Sequence, residues 1–240
     1  MNQQELNDQL YVSVRDNKPE QVKEYLKQGA DIDHKDGNVL YTAVILDNYE
    51  MARLLIDAGA NPTVSRCKPM RSALFFGKPA MLDILLEPNG AKEQFRDELP
   101  NALKLATDKS EIDKASSAVV QKLIDIGLDV HYFDDAAVKN SVIGNMPEIT
   151  DLLLENGANF HASGDYAFRQ AAIKGYDKVL EVAIIKHDLT PTQESLDWMR
   201  EKDCLKTVEH LIAKRTLNKQ LQNKYPPRQA KKTKGFSMKI

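Results

Sequence analysis

The chain has 240 residues and a formal net charge of −2, with 42% hydrophobic and 28% charged side chains. This balance is typical of a protein with a continuous core, and no apolar stretch is long enough to span a bilayer, so we expect no membrane partner. The N-terminus has neither a basic start nor an apolar run, and Cys67 and Cys204 lie far apart. These features predict a reduced intracellular protein, cytoplasmic or, in a eukaryotic host, nuclear.

The small net charge conceals an acidic body and a basic tail. Residues 214–240 hold nine of the 33 basic side chains and none of the 35 acidic ones. Residues 1–213 therefore carry 24 bases against 35 acids, a net charge of −11. We predict that residues 214–240 form a basic, disordered tail. Residues 219–224 are compatible with an extension of the last helix, which Pro226 and Pro227 would end, and the segment beyond them lacks the apolar content that folding requires.

Glycines that end a helical pattern recur along the chain at nearly constant spacing. Gly29, Gly59, Gly90, Gly127 and Gly157 are separated by intervals of 30, 31, 37 and 30 residues. In three copies the glycine is followed by Ala and then by Asp or Asn, a sequence that favours a turn. A period near thirty residues indicates an array of structural repeats.

Each unit is predicted to contain two helices. In the second unit, apolar residues at helical spacing predict helices over residues 39–45 and 51–56. Proline begins the second helix in three units, at Pro19, Pro79 and Pro147, where its missing amide has no helical partner to lose.

A small residue recurs at one position of the first helix and predicts close packing between units. Its members are Ser13, Ala43, Ala73, Ala106, Ser141 and Ala171. The fourth unit carries about five extra residues around 108–117, between its two helices, and His187 replaces the glycine of the sixth unit. Apolar residues in 196–199 and 208–212 predict a C-terminal helical cap.

These units resemble the ankyrin repeat over about residues 5–213, most clearly in residues 41–61, 149–157 and 168–176. The Thr-Pro-Leu-His sequence of that family is not intact in any copy. The resemblance implies an all-α ankyrin-repeat solenoid, with about six divergent repeats plus a C-terminal helical cap, over residues 1–213.

The resemblance also implies a non-catalytic protein–protein interaction module that binds a protein partner through its concave face and hairpin tips. A stand-alone inhibitor or effector is one form that such a module takes. The residues expected at these positions are His34, Lys35, Ile45, Leu46, Phe75, Phe76, Tyr132, Phe133, Ile143 and Asp165. The alternative is that divergent repeats shift in register and that Phe75 and Phe76 complete the core.

Three histidines raise the question of a metal site. His131 and His161 lie at the same position of adjacent units, and His34 lies close to it. Zinc needs three or four converging ligands, whereas equivalent positions of packed helical units lie about 10 Å apart. We therefore predict a hydrogen-bonding role for these histidines, with no metal and no cofactor.

No motif for catalysis accompanies the two cysteines, and no phosphate-binding loop is present, so we predict that the protein is not an enzyme. The alternative functions depend on charge. Arg228, Lys231, Lys232 and Lys234 of the tail suit either contact with the acidic body or binding to the phosphates of nucleic acid, as in a nucleic-acid-associated regulator. A third hypothesis makes the acidic body a mimic of nucleic acid.

Overall fold

The computed structural model describes residues 1–110 and 116–224, which are helical and contain no β-strand. The helices are α1 (Gln3–Arg15), α2 (Pro19–Lys27), α3 (His34–Ile45), α4 (Tyr49–Asp57), α5 (Val64–Phe75), α6 (Pro79–Leu86), α7 (Ala91–Glu98), α8 (Ala102–Thr107), α9 (Ser117–Asp125), α10 (Tyr132–Ile143), α11 (Pro147–Glu155), α12 (Ala162–Lys174), α13 (Asp177–Glu181), α14 (Gln193–Glu201) and α15 (Lys206–Lys224). A π-helical segment, Val182–Lys186, directly follows α13.

The helices form two layers. The first helices of successive units pack on one another, α1 on α3, α3 on α5, α8 on α10 and α10 on α12. The second helices do the same, α4 on α6, α6 on α9 and α9 on α11. The buried apolar side chains form one cluster that extends from Leu6 to Leu211. This arrangement is a helical solenoid, in which each unit is stabilised mainly by its neighbours.

The recurring small residues lie where the first helices meet. All six, from Ser13 to Ala171, are at most 2% exposed, so the predicted packing role is confirmed. Four residues after the small residue, the turn to the second helix has a positive φ, as at Asp47 and Asn145. Asp and Asn adopt this left-handed conformation more readily than other residues with a side chain.

The fourth unit departs from the regular pattern. The predicted insertion falls between α8 and α9, as expected, but residues 111–115 lie outside the described residues. An additional helix, α7, precedes α8 and packs against α5 and α6. The sequence analysis did not predict α7, whose buried side chains are Ala91 and Phe95.

The C-terminal cap consists of α14 and α15, which contain the predicted apolar segments. α15 continues to Lys224, so residues 219–224 extend the last helix as the sequence allowed, and the boundary that we placed at residue 214 lies inside this helix. Lys214 Nζ lies 2.7 Å from Glu181 Oε1, and Lys219 Nζ lies 2.6 Å from Asp188, so α15 is paired with the sixth unit. The rest of the tail, with its four candidate bases from Arg228 to Lys234, lies outside the described residues.

The glycine that ends the second unit generates a stability prediction. Gly59 has a φ of +95°, and a Cβ atom added to it would meet no heavy atom within 4 Å. The cost of a side chain there is therefore conformational rather than steric, about 1–2 kcal/mol. We expect Gly59→Ala to lower the free energy of unfolding by this amount in urea denaturation, and Gly59→Asn to lower it less. Equal stability of Gly59→Ala and the wild type would contradict this account.

Candidate protein-binding surface

The hairpin tip of a regular unit contains three consecutive residues in the left-handed conformation. Residues 65–67, 133–135 and 163–165 have φ values between 51° and 63°. A residue with a side chain loses about 1–2 kcal/mol in this conformation, so the surrounding structure must hold it in place. The third residue of each turn is buried, and it provides most of that support.

In the fifth and sixth units the third residue is an aspartate that binds the next unit. Asp135 Oδ1 accepts a hydrogen bond from the Asn159 amide at 2.7 Å. Asp165 Oδ2 accepts one from the Thr192 amide at 2.6 Å and one from the Thr192 hydroxyl at 2.8 Å. These bonds connect the tip of one unit to the backbone of the following unit.

The two aligned histidines support these carboxylates. His131 Nδ1 lies 3.0 Å from Asp135 Oδ1, and His161 Nδ1 lies 2.5 Å from Asp165 Oδ1. Each histidine pairs within its own unit, so the predicted hydrogen-bonding role is confirmed. Among the described residues, no group of three or more His, Cys, Asp or Glu side chains is arranged to hold a metal ion.

Asp165 does not lie on the surface where we placed it. Its side chain is fully buried, because the next unit supplies its hydrogen-bond donors. Burial alone would raise the pKa of the Asp165 carboxyl, but hydrogen bonds from Thr192 and His161 outweigh that effect and lower the pKa below its usual value. We therefore exclude Asp165 from the candidate surface.

The other tip residues vary in exposure. Lys35 is exposed and its Nζ lies 3.3 Å from Asp8 Oδ1 of the first unit. His34 is half-buried, and its Nε2 atom has no hydrogen-bond partner among the described residues. Tyr132 is half-buried, whereas Phe133 is 71% exposed at the tip of the fifth unit.

An apolar row follows the ends of the first helices. It consists of Ile45, Phe75, Ile143 and Ile173, each two residues after the buried small residue and each between 39% and 51% exposed. Leu46, beside this row, is 51% exposed. Ile173 was missed in the sequence analysis, although its distance from Ala171 would have revealed it. In the fourth unit the same position is occupied by Asp108, which interrupts the row.

Phe75 and Phe76 do not complete the core. Phe75 is 42% exposed and Phe76 is half-buried. Their ring centroids lie 4.9 Å apart in an edge-to-face arrangement, and Lys78 Nζ lies 5.1 Å from the Phe76 ring. Phe76 therefore supports the exposed ring of Phe75.

A cation row runs beside the apolar row. Two residues before the small residue, the third to sixth units hold Arg71, Lys104, Lys139 and Arg169. Positions two before and two after a buried helical residue are four apart, so they lie together on the opposite face of the helix. The sequence analysis missed this row too, although the same alignment contains it.

Cys67 is a free cysteine whose side chain is buried. Burial raises the pKa of the Cys67 thiol to about 11, so this thiol is protonated at neutral pH and is a poor nucleophile. Within residues 1–110 and 116–224, no helix combines the length and the apolar character needed to cross a membrane.

Comparisons with known proteins agree with this architecture, which defines a two-layer helical repeat protein. Residues 10–97 match the family model for ankyrin repeats in three copies. The ankyrin repeat protein EF0377 is 26% identical, with a TM-score of 0.58 over 74% of this chain and 96% of that one. The ankyrin repeat domain of Bcl-3, described as a unique member of the IkappaB protein family, is 23% identical, with a TM-score of 0.55 over 73% of this chain and 84% of that one. No curated protein matches the sequence significantly.

Residues 10–97 therefore contain ankyrin repeats, and the described residues have the fold of ankyrin-repeat structures, so the resemblance found in the sequence is confirmed. Ankyrin repeats are in general protein–protein interaction modules and a non-enzymatic binding fold.

The buried Asp165 carboxylate generates a pH-dependent prediction. We expect Asp165→Asn to lower the free energy of unfolding by about 1–3 kcal/mol at neutral pH, because buried donors lose a charged acceptor. The folded pKa lies below the unfolded value of about 3.9, so the carboxylate stabilises the fold above that value and loses its effect as the pH falls through the folded pKa. Urea denaturation should show the difference from the wild type shrinking below about pH 4.

Asp197→Asn provides the control, since the Asp197 side chain is 54% exposed. This change should alter stability by no more than about 0.5 kcal/mol. If the effect of Asp165→Asn stays constant down to about pH 2, the proposed role of the ionised carboxylate is wrong.

Proposed function

We propose that this protein is a non-catalytic binding module that holds a protein partner on its first-helix face. The single observation that carries the proposal is the exposed apolar row Ile45, Phe75, Ile143 and Ile173. Large apolar side chains are normally buried, and several of them at one repeated position form a surface that a partner can cover. An inhibitor that covers a functional surface is one form of this function.

The apolar row has two parts with different surroundings. Ile45 and Phe75 belong to adjacent units, and Leu46 and Phe76 extend this part of the row. Ile143 and Ile173 form the second part, beyond the irregular fourth unit. Aromatic side chains dominate the binding free energy of many interfaces, so we assign the main contribution to Phe75.

The tips add a smaller contribution. Phe133 is 71% exposed, and Lys104 Nζ lies 5.2 Å from its ring centroid, so the ring is partly held in place. His34, Lys35 and Tyr132 belong to the same edge of the array, at or beside the tips. We propose that these residues contact the partner at the rim of the interface.

The charges of this face distinguish between the hypotheses derived from the sequence. A mimic of nucleic acid would need acidic side chains clustered on its binding face. The repeated position beside the apolar row is instead basic in four consecutive units, from Arg71 to Arg169. This observation favours a protein partner over acidic mimicry on this face.

Substitution of Phe75 tests the proposal. We expect Phe75→Ala to weaken partner binding by more than about tenfold, since truncation of a central aromatic side chain costs about 2 kcal/mol. Stability should change by less than about 1 kcal/mol, because the ring is 42% exposed. The measurement is quantitative mass spectrometry of proteins captured from the native host, followed by titration of the purified partner.

Leu217→Ala is the matched control, since Leu217 is 55% exposed on α15, away from the apolar row. It should capture the same partner in the same amount as the wild type. A Phe75→Ala variant that unfolds early but retains its partner would show that Phe75 stabilises the fold and does not bind.

A further inference from the structure

A groove crosses the face of α5, at the junction of the third and fourth units. It has a volume of about 640 Å³. Its lining includes Tyr41, Lys68, Arg71, Phe75, Leu105 and Ser110. The groove therefore joins the apolar row to the start of the cation row.

The cations of this groove differ from those further along the row in their contacts. Lys68 and Arg71 form no ion pair with any of the described residues, and Lys68 Nζ instead lies 3.9 Å from the centroid of the Tyr41 ring. Asp108, which interrupts the apolar row nearby in sequence, accepts hydrogen bonds from the amide and hydroxyl of Ser110.

The same row is neutralised further along the array. Lys139 Nζ lies 2.9 Å from Asp134 Oδ2, and it also donates to Ser163 Oγ at 3.0 Å. Arg169 lies 3.2 Å from Glu194 Oε1 and donates to Ser195 Oγ at 3.1 Å. Asp134 of the fifth unit and Glu194 of the cap helix α14 thus pair with Lys139 and Arg169, whereas none of the described acidic side chains pairs with Lys68 or Arg71.

We propose that this groove binds an acidic peptide segment of the protein partner, in which a carboxylate lies close to a large apolar side chain. The proposal rests on the proposed function and specifies the chemistry of the partner. Carboxylates of the segment pair with Lys68 and Arg71, since Arg offers two parallel donors to a carboxylate. The apolar side chain packs against Phe75 and Leu105.

The helix sets the spacing of the two contacts. Lys68 and Phe75 are seven residues apart on α5, a rise of about 11 Å. An extended peptide covers this distance in about three or four residues. The segment therefore places its acidic and apolar side chains within about four residues of one another.

A peptide fits the groove better than a nucleic acid. Residues 1–213 carry a net charge of −11, and the tip of the fifth unit holds the exposed acid Asp134. A long, uniformly charged polyanion would meet these acids as well as the groove. A short acidic segment meets only the local cations.

Labelled peptides test the inference on the full chain. The probe is a fluorescein-labelled peptide of about ten residues that contains two Glu and, about three residues away, one Phe. Its controls replace Glu with Lys, or Phe with Ser. We expect the acidic Phe peptide alone to raise the fluorescence anisotropy at low salt, and its binding to weaken at about 0.3 M salt.

Charge reversal locates the site. Lys68→Glu with Arg71→Glu should weaken binding at least tenfold. The control is Lys27→Glu with Lys178→Glu, which makes the same change in net charge at exposed positions of the second-helix layer and should leave binding within about twofold of the wild type. Thermal unfolding followed by circular dichroism verifies that both variants fold.

Three results would overturn the inference. Equal losses in the two double variants would show a general charge effect. Tighter binding of single-stranded nucleic acid, with the same dependence on Lys68 and Arg71, would assign the groove to nucleic acid. Absence of peptide binding, when capture of the native partner still depends on Phe75, would reject the acidic segment and leave the proposed function intact.

Discussion

The backbone amide that follows each helix-terminating turn is the point at which one unit is joined to the next. In the regular units its hydrogen bond is accepted by a side chain of the preceding unit. The pairs are Asp31 with Asn7, Asn61 with Asp33, Asn159 with Asp135 and Thr192 with Asp165. A partly buried amide without a partner would destabilise the junction, so this bond fixes how neighbouring units stack.

The left-handed tips of the fifth and sixth units depend on the last two of these bonds, those of Asp135 and Asp165. Three consecutive residues in this conformation are unfavourable alone, and the buried third residue holds them in place by its contacts with the next unit. The third unit differs, because its third tip residue is Cys67, which has no carboxylate and is fully buried. There Thr63 donates to Gln94 of α7 at 2.7 Å, so the extra helix takes part in the connection.

The sequence predicts the regular features because each depends on local chemistry. Proline at the start of a second helix, a small residue between first helices and a glycine at a left-handed turn each have a local cause. Contacts between units are harder to predict. Asp165 looks like a surface residue, and its burial follows from Thr192, which is 27 residues away. The helix α7 was missed because counting back from Gly127 absorbed it into a single repeat.

The candidate surface was predictable in part for the same reason. Ile45 and Phe75 follow from the repeat alignment, which also contains Ile173 and the cation row. The alignment does not show which cations of this row form ion pairs in the folded protein. Lys139 pairs with Asp134 five residues earlier, across a left-handed turn, and helical periodicity gives no sign of this contact. Which cations of the row remain unpaired therefore emerges from the folded array.

The junction of the third and fourth units departs most from the regular repeat. The longest interval between glycines, the extra helix, and the cations Lys68 and Arg71, which form no ion pair with the described residues, all occur at the third and fourth units. A partner that covers Phe75 also removes water from Arg71, four residues away on the same helix face, and burying an unpaired charge is unfavourable. An apolar partner would therefore lose much of what it gains from Phe75. Under the proposed function, a carboxylate of the partner at that point would offset this penalty, so we expect Lys68 and Arg71 to favour acidic partners among those that the apolar row alone would accept.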